Sequence, residues 1–68
     1  MKFNVELDRE EDGRWLADVP ALPGVMAYGT SREEALTSVE ALALRVLADR
    51  LENGEVGAEP MSVSFVAA

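Results

Sequence analysis

Asp8 and Asp18 stand on two short stretches in which polar and apolar residues alternate, and Glu10, Glu11 and Asp12 lie between those stretches. Carboxylates so placed have one demanding chemistry open to them. Several of them converging on two divalent cations about 4 Å apart can activate water against a phosphodiester. The requirement is convergence, and the pattern does not favour it. Asp8 and Asp18 fall on the polar side of their alternation, where ordinary solvated residues stand. Glu10, Glu11 and Asp12 crowd into a turn, and a turn tip does not hold ligands in place. The chain also has no His and no Cys. It thus lacks the side chain whose ordinary pKa suits proton transfer near neutrality, along with the usual zinc ligands and any disulfide. The expectation is a protein that is not an enzyme and carries no cofactor or metal.

Charge narrows the partners. Thirteen acidic residues against six basic ones give a formal charge of −7. Such a surface repels phosphate backbones and suits a basic protein. Trp15, Tyr28 and Phe65 could stack on bases, but single-strand binders set their rings in a positive groove, and here the neighbours are acidic or neutral. The three aromatics are therefore read as core packing, with Trp15 and Phe65 buried. Gly24 and Gly29 read as turn residues, since no Lys or helix start is spaced to complete a phosphate loop.

The elements that position these residues are legible from periodicity. Phe3, Val5 and Leu7 alternate with polar neighbours as one buried strand face. A charged loop ending in Asp12-Gly13 signals a hairpin into a second strand, Arg14 to Val19. Pro20 to Gly24 cannot continue a central strand. Val25 to Tyr28 reads as a third strand, apolar on both sides and ended by Gly29, with both faces covered. Ser31 with Glu34, or Thr30 with Glu33, forms a capping box. Ala35, Leu36, Val39, Leu42, Ala43, Val46, Leu47 and Leu51 then recur at helical spacing until Asn53-Gly54. A loop runs from Glu55 to Pro60. Met61, Val63 and Phe65 alternate with Ser62, Ser64 and Val66 as a last strand. The order β-β-β-α-β predicts a two-layer α+β fold: an antiparallel meander, one amphipathic helix and a fourth strand. Strands three and four, joined by the helix, should run parallel if they share the sheet.

The run Gly13-Arg14-Trp15-Leu16-Ala17-Asp18-Val19-Pro20-Ala21-Leu22-Pro23-Gly24, followed by Gly29-Thr30-Ser31-Arg32-Glu33-Glu34-Ala35-Leu36, resembles the HicB antitoxin family. The likeness extends from Phe3 to about Glu59. It implies a partial RNase H-like fold in a bacterial, cytoplasmic toxin–antitoxin system. It also implies a partner, a small basic HicA-like mRNA-cleaving ribonuclease toxin whose active site the antitoxin covers. Many family members add a C-terminal DNA-binding domain. Residues 1–68 read as a single antitoxin domain without one, so promoter binding is not expected.

Carboxylates presented where phosphates would lie can compete for such a toxin. Glu10, Glu11 and Asp12, with Asp18, are the expected contacts, because Glu33 and Glu34 already serve the helix start. Ala41, Leu44, Ala48 and Leu51 widen the helix's apolar arc beyond what one sheet can cover, and are expected to line an oligomer interface, a dimer or higher. A domain of this size buries only about 60% of its unfolded surface, which also favours association. The alternatives are a stand-alone homo-oligomer whose toxin has been lost, and a divalent-metal nuclease. No stretch has the roughly 18 apolar residues of a membrane span.

Overall fold

A computed structural model describes every residue except 56, 58, 59 and 68, so part of the loop expected between Glu55 and Pro60 lies outside the described residues. The elements run β1 (Lys2–Arg9), β2 (Trp15–Asp18), β3 (Met26–Gly29), α1 (Arg32–Glu52) and β4 (Ser64–Ala67). They form a mixed four-stranded sheet with one helix on one face, the expected two-layer α+β arrangement. Among the described residues no helix is long and apolar enough to cross a membrane.

The sheet order is β3-β2-β1-β4. β1 pairs antiparallel with β2 and parallel with β4, and β2 pairs antiparallel with β3. β3 and β4 therefore point the same way, but they occupy opposite edges with the hairpin between them. The short connections from β1 to β2 and from β2 to β3 hold those three strands side by side. That leaves two free edges, the outer sides of β3 and β1, and the chain returning from α1 pairs with β1.

Three local devices shape the scaffold. At the hairpin tip the Glu10 amide donates to the Arg14 carbonyl at 2.7 Å and the Gly13 amide to the Glu10 carbonyl at 3.0 Å. Gly13 has φ +92°, a left-handed conformation that suits glycine in a bulged three-residue turn. At the start of α1 the Ser31 hydroxyl accepts from the Glu34 amide at 3.1 Å, as expected of the N-cap. The Glu34 carboxylate, however, reaches one residue further back than a capping box predicts. It accepts from the Thr30 amide at 3.0 Å and the Thr30 hydroxyl at 3.2 Å. At the other end the Glu55 amide donates to the Arg50 carbonyl and the Gly54 amide to the Leu51 carbonyl, with Gly54 at φ +73°. That paired closure satisfies carbonyls the last turn would leave open.

The core is built from Phe3, Val5, Ala17, Val19, Leu22, Val25, Ala35, Val39, Ala43 and Leu47. Trp15 and Phe65 pack against it but are half-buried rather than fully enclosed. For Phe65 the reason is geometric. α1 packs mainly on β3 and β2 and only lightly on β1, so the β4 side of this layer has no helix above it. Phe65 stacks on Phe3 there, with ring centroids 5.9 Å apart.

Leu22 is the surprise of the core. The Pro20-to-Gly24 segment is not merely a rigid turn. The Val19 amide donates to the Val25 carbonyl, and the Leu22 and Val25 amides donate to the carbonyls of Val19 and Leu22. These bonds close a loop that presses Leu22 inward until only 2% of it is exposed.

Gly29 is likewise more than a turn residue. Its φ is not in the left-handed region. A Cβ there would lie 2.4 Å from the Ala35 amide nitrogen and 2.9 Å from the Ala35 Cα, so glycine lets the first turn of α1 rest directly on β3. Gly29→Ala must push the helix backbone away and should cost about 1–3 kcal/mol, measured as a lower thermal unfolding midpoint. An unchanged midpoint would show that helix and strand do not meet this closely.

Candidate functional site

Among the described residues no helix lies over the face of the sheet opposite α1. Strand alternation and register decide what it carries. Asp18 lies between Glu6 on β1 and Met26 on β3, and Leu16 lies between Asp8 and Tyr28. Two adjacent rows therefore cross the sheet, Met26–Asp18–Glu6 and Tyr28–Leu16–Asp8. Three carboxylates share this face with an apolar strip in which Met26 is 48% and Tyr28 49% exposed. Tyr28 is thus not a core residue, and β3 is not covered on both faces. One helix covers one face of a sheet, and the described residues form one helix.

Arg14 is fixed over the strip. Its guanidinium carbon stands 4.4 Å from the centre of the Tyr28 ring, a cation–π contact. From the other side Asp12 holds it. One carboxylate oxygen accepts from the Arg14 amide at 3.0 Å and the other from Nε at 2.7 Å. The Arg14 backbone bond first, and its side-chain bond second, hold the Asp12 carboxyl below its ordinary pKa of 3.8. Asp12 is therefore engaged in shaping the turn, whereas Glu11 is exposed and Glu10 partly so.

The structure divides the four carboxylates named as partner contacts. Glu10, Glu11 and Asp12 stay together at the hairpin tip, beyond the Arg9–Trp15 rung. Asp18 sits three rungs further along the ladder, opposite Glu6. Sequence patterning placed Asp8 and Asp18 on the sheet face away from the helix, and they are there. It did not single out Glu6, although Glu6 shares the parity of Asp8 and could have been found by extending the same alternation. Among the described residues no group of three or more acidic side chains is arranged to hold a metal ion.

Glu6 and Asp18 face each other directly across β1 and β2. Side chains at such positions have Cβ atoms about 4.5–5.5 Å apart, and like charges there oppose folding. The open face carries this cost at its centre.

Ala41, Leu44, Ala48 and Leu51 are all exposed along one arc of α1. Leu44 is 49% and Leu51 40% exposed. They are separate from the acidic face, on the outer layer of the molecule.

The chain is 40% identical over 40 residues to a UPF0150 protein of the archaeon Thermoplasma acidophilum. The matched stretch takes in 59% of this chain and 58% of that protein, less than two thirds of either. No family model matches the chain. No solved structure matches it.

Proposed function

We propose that this protein is a HicB-like antitoxin that binds and occludes a small basic HicA-like mRNA-cleaving ribonuclease, acting in the cytoplasm as an inhibitor rather than as a catalyst. The observation that carries the reading is the open sheet face, where Glu6, Asp8 and Asp18 stand beside exposed Tyr28 and Met26. Carboxylates supply electrostatic attraction to an RNA-binding surface, and the aromatic and thioether side chains supply desolvated contact area. Glu10 and Glu11 at the hairpin tip extend the same negative field. Two motif blocks in the family's order, Gly13 to Gly24 and Gly29 to Leu36, support the same reading.

The test is a titration against a small basic HicA-like ribonuclease from the same organism, at low and at physiological salt, with RNA cleavage by that protein followed in parallel. Stoichiometric binding that weakens with salt, together with suppressed cleavage, is the expected result. Cleavage unaffected by an excess of this chain would overturn the proposal. A second reading, a stand-alone homo-oligomer with no surviving toxin, is favoured by the exposed row Ala41, Leu44, Ala48 and Leu51. It predicts self-association without any effect on the ribonuclease.

A further inference from the structure

β4 is an edge strand, and the direction of its backbone groups is fixed. The Ser64 amide donates to the Met1 carbonyl at 2.9 Å, so Ser64 turns its backbone toward β1. By strand alternation Val66 does the same, while Val63, Phe65 and Ala67 turn their N–H and C=O groups outward. No strand among the described residues pairs with that edge.

Natural sheets protect such edges with charged residues, proline or a bulge. Here the stretch Met61 to Ala67 contains no charged residue and no proline, in a chain of net charge −7. The opposite edge, β3, is shielded from one side by α1, which packs on it more than on any other strand. Two copies of so acidic a protein repel over most of their surface, and the neutral β4 edge is where they can approach.

We infer that the free edge of β4 is the seam of a two-fold homodimer. The two copies pair antiparallel, giving one eight-stranded sheet of order β3-β2-β1-β4-β4-β1-β2-β3. A two-fold axis normal to the sheet keeps both helices on one side, so residues opposite each other must share a face. Matching donors to acceptors also requires outward-turned residues to stand opposite outward-turned residues. Phe65 opposite Phe65 of the second copy meets both conditions, and it sets Val63 opposite Ala67. Each of these pairs exchanges backbone hydrogen bonds. The same register brings the two Phe65 rings together and extends the Phe3–Phe65 stack across the axis. The helices, seated over β2 and β3, do not obstruct the seam. The row Ala41, Leu44, Ala48 and Leu51 also offers apolar area, but no unmet backbone groups. The seam leaves the acidic face uncovered, so the inference stands or falls separately from the proposed inhibition.

Sedimentation equilibrium of the wild-type chain, Ala67→Pro and Leu44→Glu tests it. Proline at 67 removes an outward donor and takes none from the β1–β4 ladder, and it is compatible with an edge strand. The expected masses are two chains for wild type and Leu44→Glu, and one for Ala67→Pro. In the wild type, amide exchange at Phe65 and Ala67 should be slow when the protein is concentrated and fast when dilute, which requires no variant to fold. A monomeric wild type overturns the inference. So does a dimer that survives Ala67→Pro, one that Leu44→Glu dissociates, or a dimer whose Phe65 amide exchanges at a rate independent of concentration.

Discussion

Leu22→Ala is expected to leave this domain largely unfolded near physiological temperature, although the residue lies in a proline-flanked loop. The side chain is 2% exposed and belongs to the same cluster as Val19, Val25 and Val39. Removing a buried leucine typically costs 2–5 kcal/mol, through lost transfer energy and the cavity left behind. A core in a domain of this size supplies roughly 3–5 kcal/mol in total, so even the lower figure removes about half. A loss of about 2–3 kcal/mol lowers the midpoint of a small domain by roughly 10–20 °C. Its immediate neighbours provide the control. Ala21 and Pro23 are exposed, and Ala21→Ser should leave the midpoint unchanged. Thermal circular dichroism at one fixed protein concentration decides the matter, because self-association would otherwise enter the comparison. A Leu22→Ala midpoint within a few degrees of wild type would place Leu22 outside the core.

That loop also marks where sequence patterning stops. The helix limits were legible because both ends carry local chemistry, Ser31 with Glu34 at the start and Asn53-Gly54 at the end, and each device depends on residues a few positions apart. The hairpin was legible for the same reason, through Asp12-Gly13. Leu22 was not, since prolines on both sides announce a surface turn and nothing local says that the turn folds back on itself. Position β4 beside β1 was not legible either. The crossover rule gives the direction of a returning strand, and β4 does run parallel to β3. Which edge it occupies depends on pairing across some sixty residues, Lys2 with Ser64. Tyr28 and Met26 misled for a third reason. An apolar stretch with no alternation suggests cover on both faces, but the number of layers is decided by how many helices the whole chain supplies. Alternation in β1 and β2 did place Asp8 and Asp18 correctly. The direct opposition of Glu6 and Asp18 is a matter of register, which pattern alone leaves open by two residues at a time.

Glu6→Lys should move folding and partner binding in opposite directions, and this separates a binding role from a structural one. In the wild type Glu6 and Asp18 are like charges on facing positions of β1 and β2. Lysine at position 6 turns the repulsion into an attraction, and cross-strand pairs of this kind differ by roughly 0.2–1 kcal/mol. The unfolding midpoint should therefore rise by a few degrees. Association with the proposed ribonuclease partner should suffer, because the substitution changes the charge of the open face by two units at its centre. Electrostatic steering accelerates encounter by about 10- to 1,000-fold, so a tenfold or greater fall in association rate at low salt is expected, with a shallower dependence on salt. Glu11→Lys at the hairpin tip provides the comparison. It changes the net charge equally, but Glu11 lies outside the paired rungs of the ladder. A surface that acts only through total charge would slow both variants alike. A binding face centred on Glu6, Asp8 and Asp18 slows Glu6→Lys more than Glu11→Lys, while Glu6→Lys alone gains stability. Stopped-flow association and thermal unfolding of the two variants measure both quantities. If Glu6→Lys were more stable and associated as fast as wild type, the opposed carboxylates would have no part in recognition, and the hairpin tip would be the remaining acidic surface to consider.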